Sequence, residues 1–211
     1  HGACGNPGQR IPLSAYEPGS GSTIMAYAGI CSSDDLQANS DPYFHHESLR
    51  QIISYIEFGL GSSCSTNTAT GNQDPVVDAG IDYFIPADTP FTLTASGSDP
   101  DTDPITYCWE ERDLGLAAPL SDPPNGSGPL FRTWLPTTEP SRTVPRWSEL
   151  LQNTLPIGEE LPLFNRIMTF RVTVRDNRAG GGGLGSDDTQ VEVVATAGPF
   201  QVTSPNTGSE V

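Results

Sequence analysis

Apolar residues recur with two different periods along this chain. Between 42 and 57 the repeat is helical. Leu49, Ile52, Ile53 and Ile56 stand at i, i+3, i+4 and i+7 and form one apolar stripe. Asp41 before Pro42 offers a helix cap and a proline suited to the first helical position, Glu47 falls in the early turns, and Gly59 or Gly61 ends the pattern. The spacing predicts a helix over 42–57. From residue 91 onward the period drops to two. Phe91, Leu93 and Ala95 alternate with other residues, as do Ile105, Tyr107 and Trp109, then Phe170, Val172 and Val174, then Val191 and Val193. Each run is short and bounded by turn residues, which predicts a mainly β fold built as an antiparallel β-sandwich. Tyr107 and Trp109 share one face and belong in the core; Cys108 points to the other.

Between these elements the pattern lapses. Residues 1–40 are punctuated every few positions by Gly, Ser, Pro and Asn, apart from the short apolar run 22–28. A linker rich in Gly, Ser, Thr and Asn covers 61–72. Residues 113–165 carry nine prolines and little periodicity, so they read as a long insertion with one short helix over 147–151. Gly180 to Gly183 make a glycine loop inside a hairpin, and Gly198-Pro199-Phe200 resembles a hinge. The expected organisation is a loop-plus-helix unit over 1–60, the linker, a β-sandwich over 73–197, and the start of a further module over 198–211. Both ends look cut, as in an internal piece of a longer protein.

Composition narrows the partners. The 211 residues carry a formal net charge of -16, and all ten cationic side chains are Arg. Such a chain is not expected to bind nucleic acid by neutralising phosphates or to dock on an anionic membrane, and no apolar run is long enough to span a bilayer. The four cysteines, Cys4, Cys31, Cys64 and Cys108, contain no Cys-x-x-Cys spacing. An even number of widely spaced cysteines predicts two disulfides and a secreted, extracellular setting. Three pairings are possible. Cys4–Cys31 with Cys64–Cys108 is favoured because each bond then stays within, or at the edge of, one unit.

The segment Glu-Pro-Gly-Ser-Gly-Ser-Thr-Ile-Met-Ala-Tyr-Ala-Gly-Ile-Cys over 17–31, followed by Asp-Pro-Tyr-Phe-His-His-Glu-Ser-Leu-Arg-Gln-Ile over 41–52, resembles secreted bacterial reprolysin-like zinc metallopeptidases, a branch of the metzincins. Ser22 to Tyr27 resembles the Met-turn, and the helix after Pro42 the final helix of the catalytic domain. The resemblance implies that Met25 lies in the apolar floor beneath a catalytic zinc and that Tyr27 can reach the metal or steady an oxyanion. It also implies an upstream catalytic segment of the same protein and a protein or peptide substrate. In that family the zinc is held by His-Glu-x-x-His-x-x-Gly-x-x-His. This chain has no such motif. Its histidines are His1, His45 and His46, and the last two, if both helical, point about 100° apart and do not chelate one ion. They read as an exposed pair near a helix start. The chain alone is expected to be inactive, its zinc ligands lying outside it.

The later segments resemble immunoglobulin-like or polycystic-kidney-disease-type modules, through Asp99-Pro-Asp-x-Asp103 before Tyr107-x-Trp109 and through Thr169 to Asn177. Asp99, Asp101 and Asp103 crowd three carboxylates into one turn. They are candidate calcium ligands, against the alternative of a solvated acidic turn. Gly182 to Asp187 matches part of a calcium β-roll repeat but occurs once, and reads as a loop. No nucleophile elbow, phosphate loop or dinucleotide fingerprint is present. Glu110-Glu111 and Glu159-Glu160 are sequence neighbours without acid–base geometry of their own. A second function class therefore stands beside the peptidase: a non-catalytic extracellular binding, adhesion or assembly module. In that class Trp134 and Trp147 in the Pro-rich insertion would offer a glycan or protein contact, or simply pin the loop to the sheet.

Overall fold

A computed structural model describes Cys4 and residues 10–64, 66–122 and 126–199. The chain is mainly β, with eight strands among the described residues: β1 Val76–Asp78, β2 Tyr83–Pro86, β3 Phe91–Thr94, β4 Ser96–Ser98, β5 Thr106–Glu111, β6 Ser141–Val144, β7 Arg166–Arg175 and β8 Leu184–Val194. The central sheet has the order β2-β8-β7-β5, and two antiparallel pairs, β1-β4 and β3-β6, stand beside it. All four alternating runs in the sequence fall on strands (β3, β5, β7 and β8). The four other strands, three or four residues each, lie outside those runs.

Two pairings depart from the expected pattern. β2 runs parallel to β8, with Tyr83 opposite Val191, so the central sheet is mixed. β6 lies inside the Pro-rich stretch and pairs antiparallel with β3, Phe91 opposite Val144. Pro140 and Pro145 bracket it. A proline cannot donate to a ladder, which suits a short strand with one partner.

The alternation has its expected physical cause. Met168, Phe170, Val172 and Val174 of β7 and Val191 and Val193 of β8 face one buried cluster, closed from the far side by Phe91 and Leu93 of β3 and Val144 of β6. Phe91, Phe131 and Phe170 meet there, Phe91 edge-on to both others at 6.0 and 5.7 Å between centroids. Tyr107 and Trp109 are in the cluster as expected, and the Trp109 indole N–H donates to the Pro140 carbonyl at 3.0 Å.

The predicted helix is shorter at its start. α1 runs His46–Glu57, with His45 as N-cap in extended conformation. Asp41 and Pro42 do not cap it, because residues 41–43 are engaged elsewhere. The Asp41 N–H donates to the Ser22 carbonyl and the Ile24 N–H to the Tyr43 carbonyl, which ties this stretch to the 22–24 turn. The stripe also points differently from the expectation. Leu49 and Ile53 are half-buried, while Ile52, Tyr55 and Ile56 are exposed. The short helix α2, Trp147–Leu150, forms where expected. The hairpin joining β7 to β8 turns through 176–183, where Asp176 accepts from the Gly183 N–H at 2.8 Å. Of the module expected over 198–211, all but Gly198 and Pro199 lie outside the described residues.

Cys4 and Cys31 are disulfide-bonded. The pairing Cys64–Cys108 is corrected: both are free, Cys64 exposed and Cys108 buried. Cys108 does point away from the core, but that face is not open. Its Sγ lies 3.5 Å from the Thr133 hydroxyl and 3.4 Å from the Trp134 carbonyl. Cys64 sits at the exposed end of a 3-10 turn, Leu60–Ser63. Burial pushes the Cys108 thiol up to about 12. A native chain is therefore expected to react with a thiol reagent once, at Cys64, and a second time only on unfolding. Two fast-reacting thiols, or none in the unfolded unreduced chain, would contradict the free pair.

Candidate functional site

The second face of β5 is where the two halves of the chain meet. Strand geometry sends Tyr107, Trp109 and Glu111 to one side and Cys108 and Glu110 to the other. Every residue of β5 from Tyr107 to Glu111 is nevertheless buried, because the N-terminal segment covers the second side. Tyr43 hydrogen-bonds Thr133 at 2.8 Å, and Arg175 on β7 donates to the Phe44 carbonyl at 3.0 Å.

At the centre of this contact is Glu110, which has no exposed side-chain surface. Its Oε1 accepts the backbone N–H of His46, the first residue of α1, at 3.0 Å; its Oε2 accepts the Thr173 hydroxyl at 2.9 Å. The negative end of a carboxylate at a helix N-terminus is the favoured sign. His45 Nε2 lies 3.9 Å from Oε1, and His46 Nδ1 lies 3.5 Å from Oε2. Burial alone would raise the Glu110 carboxyl, but the His45 and His46 imidazoles and the hydrogen bonding outweigh it and hold the group down at about 2.

The reading of His45 and His46 as an exposed pair with divergent side chains is corrected. Both are buried, and their ring centroids are 4.2 Å apart. The 100° rule fails because His45 is not helical: with φ -59° and ψ 149° it precedes the helix, and its Nδ1 accepts the Glu47 N–H at 3.3 Å. Tyr16 packs over both rings. The ligand atoms of His45, His46 and Glu110 lie within 4.8 Å of one another. Nothing in the sequence signalled Glu110 as a partner, since it is 64 residues away.

Met25 and Tyr27 occupy a turn braced from below. Glu17 accepts the Ser22 and Thr23 N–H groups at 2.8 and 3.2 Å and the Thr23 hydroxyl at 2.6 Å. The Tyr27 N–H donates to the Ser20 carbonyl at 2.9 Å. Gly21 has φ +67°, and a Cβ there would stand 2.7 Å from that of Ala26, so the turn needs glycine. Met25 is held at the tip, 65% exposed. It lines a cavity of about 220 Å³ with Tyr16, Glu17, Tyr27, His45 and Glu47. The structure thus brings Met25 and Tyr27 to the same hollow as His45.

No family model, curated protein or solved structure matches this chain.

The remaining candidates separate by burial and partners. Asp99, Asp101 and Asp103 converge as expected from their spacing. Asp99 Oδ1 accepts the Asp101 and Asp103 N–H groups at 2.9 and 3.0 Å. Asp101 accepts from the Gln73 backbone at 2.8 Å, and Arg178 lies 3.4 Å from Asp101 and 3.8 Å from Asp103. The acidic turn therefore already has a cation. Glu111 and Glu159 are structural acceptors. Glu111 takes the Leu130 and Phe131 N–H groups, both at 2.7 Å. Glu159 takes the Trp134 indole N–H at 2.7 Å and Arg142 at 2.7 Å. Trp134 is held between the Arg132 and Arg146 guanidiniums, 4.1 and 4.3 Å from its ring, and so pins its loop. Trp147 is 59% exposed.

The pH response of this site has a definite sign. Burial, the largest influence, lowers His46 from 6.5 to about 4. Between those values the unfolded chain takes up a proton that the folded chain refuses, so stability is lost as pH falls from about 6.5 to about 4. The loss is about 3 kcal/mol. Glu110, depressed to about 2, adds a further loss only below its unfolded value near 4.5. Urea midpoints at pH 7 and pH 4.5 check this: His46→Leu should remove most of the fall across that window, and an unchanged fall would contradict the assignment to His46.

Proposed function

We propose that the chain is the Met-turn-bearing, C-terminal part of the catalytic domain of a secreted zinc metallopeptidase, joined to an immunoglobulin-like or PKD-like β-sandwich. The observation that carries this reading is the placement of Met25. A flexible apolar side chain is held outward at the tip of a turn braced by Glu17 and a left-handed Gly21, beside a cavity, rather than in the core. A turn built that firmly around an exposed methionine has a use as a floor against which another element sits. The surroundings agree. Ile24, Ile30, Ile52, Tyr55, Ile56 and Phe58 are all exposed on the same N-terminal unit, an apolar density that a contiguous catalytic segment would cover.

In the intact enzyme the reaction is hydrolysis of peptide bonds by zinc-activated water. On this reading the residues of this chain do not supply the zinc: His-Glu-x-x-His is absent from the sequence, and the imidazoles of His45 and His46 lie beside Glu110. The part played by this chain is to close the floor and to set the turn that carries Tyr27. By itself it has no peptidase activity on this reading.

A second reading has its own observation. Trp147, Leu151, Leu155 and Ile157 leave large apolar surface exposed along the Pro-rich stretch, which suits a β module that contacts a glycan or protein. Calcium at Asp99, Asp101 and Asp103 belongs to this reading and would have to displace Arg178. A calcium-dependent rise in melting temperature, absent in Asp103→Asn, would favour it.

Two measurements test the first reading. The coding sequence upstream of His1 should contain His-Glu-x-x-His-x-x-Gly-x-x-His, and its absence there would sink the proposal. Met25→Ser in this chain should shift stability by no more than about 0.5 kcal/mol, as for exposed positions, while lowering peptidase activity in the intact protein. A loss of about 2 kcal/mol or more in the urea midpoint would make Met25 an ordinary packing residue.

A further inference from the structure

We propose that His45, His46 and Glu110 form a buried site for one divalent transition-metal ion of the zinc type, distinct from any peptidase zinc, which clamps the N-terminus of α1 to β5. The inference does not depend on the peptidase reading.

The first support is geometric. Two imidazoles and a carboxylate present ligand atoms within 4.8 Å of one another. Around a tetrahedral ion with bonds near 2.0–2.1 Å, ligand atoms stand about 3.3 Å apart. His46 Nδ1 lies 3.5 Å from Glu110 Oε2 and His45 Nε2 lies 3.9 Å from Oε1, so a single oxygen with both nitrogens, all within 4.8 Å, must draw in by up to about 1.5 Å to reach that spacing.

The second support is independent of the spacing. His46 is 4% exposed, and neither of its ring nitrogens makes a hydrogen bond. Although Nδ1 is 3.5 Å from Glu110 Oε2, the orientation does not make that approach a bond. An orphaned buried imidazole is costly, because its hydration is lost without replacement. A metal bound at Nδ1 would remove the share of that cost that falls on Nδ1, the Nε2–H keeping its own. The alternative role for the histidine, a plain packing residue, would be filled better by Leu or Phe.

The donor set also selects the ion. Two nitrogens and one carboxylate oxygen suit zinc or cobalt, and are poor for calcium or magnesium, which prefer all-oxygen shells. Three protein ligands leave one position for water. His45 borders the 220 Å³ cavity, and His46 borders a second one of about 290 Å³ between α1 and the sheet, so an entry path exists from either side. The ion has one identifiable cost: an imidazole that binds through Nε2 carries its proton on Nδ1, so His45 gives up the 3.3 Å bond from the Glu47 N–H.

The test uses the full chain, stripped with chelator and titrated with zinc chloride by calorimetry and thermal melting. Cobalt chloride serves as a spectroscopic probe. Wild type should bind one equivalent with a micromolar or lower Kd. At about 100 times Kd the melting temperature should rise by about 5–10 °C, and cobalt should give the intense visible bands of a four-coordinate nitrogen–oxygen site. His46→Leu, which removes the orphaned ring, should fold at least as stably without metal and lose affinity ten-fold or more. Asp101→Asn should bind zinc as wild type does. Zinc affinity unchanged in His46→Leu would place the metal elsewhere and overturn the proposal. So would failure of wild type to bind zinc. Should His46→Leu fail to fold, the cobalt spectrum of wild type decides: an octahedral all-oxygen pattern overturns the site.

Discussion

The burial of the Glu110 carboxylate is the constraint on which the rest of the arrangement depends. An ionised carboxylate cannot be left in an apolar interior without donors, and a strand alone supplies none on its outer face. The donors come from elsewhere: the first N–H of α1 and the Thr173 hydroxyl across the ladder, with two imidazoles packed 3.5 and 3.9 Å from the carboxylate. That requirement fixes where α1 begins, brings Tyr43 onto Thr133, and seals Cys108 from solvent. It also makes the second face of the central sheet an internal surface at β5.

The same device recurs through the molecule. Glu17 braces the Met25 turn, Glu111 holds the chain at 130–131, Glu159 gathers Trp134 and Arg142, and Asp176 shapes the β7–β8 hairpin. A loop-rich chain without lysine uses carboxylates as multidentate acceptors for backbone N–H groups, and charge-assisted bonds of this kind are stronger than neutral ones. A large negative net charge, read first as an exclusion of nucleic-acid partners, thus also has an internal structural use.

Both proposals concentrate on the N-terminal unit. Its cavity is bordered by Met25, Tyr27, His45 and Glu47, and its outer surface is apolar. The β region contributes, through Glu110, one side of the histidine cluster. The proposed peptidase floor and the proposed metal clamp therefore occupy opposite ends of one short path from the Met25 turn to β5.

The alternating runs of β3, β5, β7 and β8 were readable because each buries one face in a shared core, so local pattern and global fold agree. The convergence of Asp99, Asp101 and Asp103 was readable because neighbours in sequence set it, whereas the turn at Met25 was expected only through a family resemblance. The strands β1, β2, β4 and β6 lie outside these runs, and the parallel β2–β8 pairing is a matter of topology alone. The helix start moved from 42 to 46 because Asp41 and Tyr43 spend their backbone bonds on the 22–24 turn. Cys108 stayed reduced and His45 with His46 became buried for a related reason. Strand alternation says which way a side chain points, but only the packed chain decides whether water, or another segment, lies on that side.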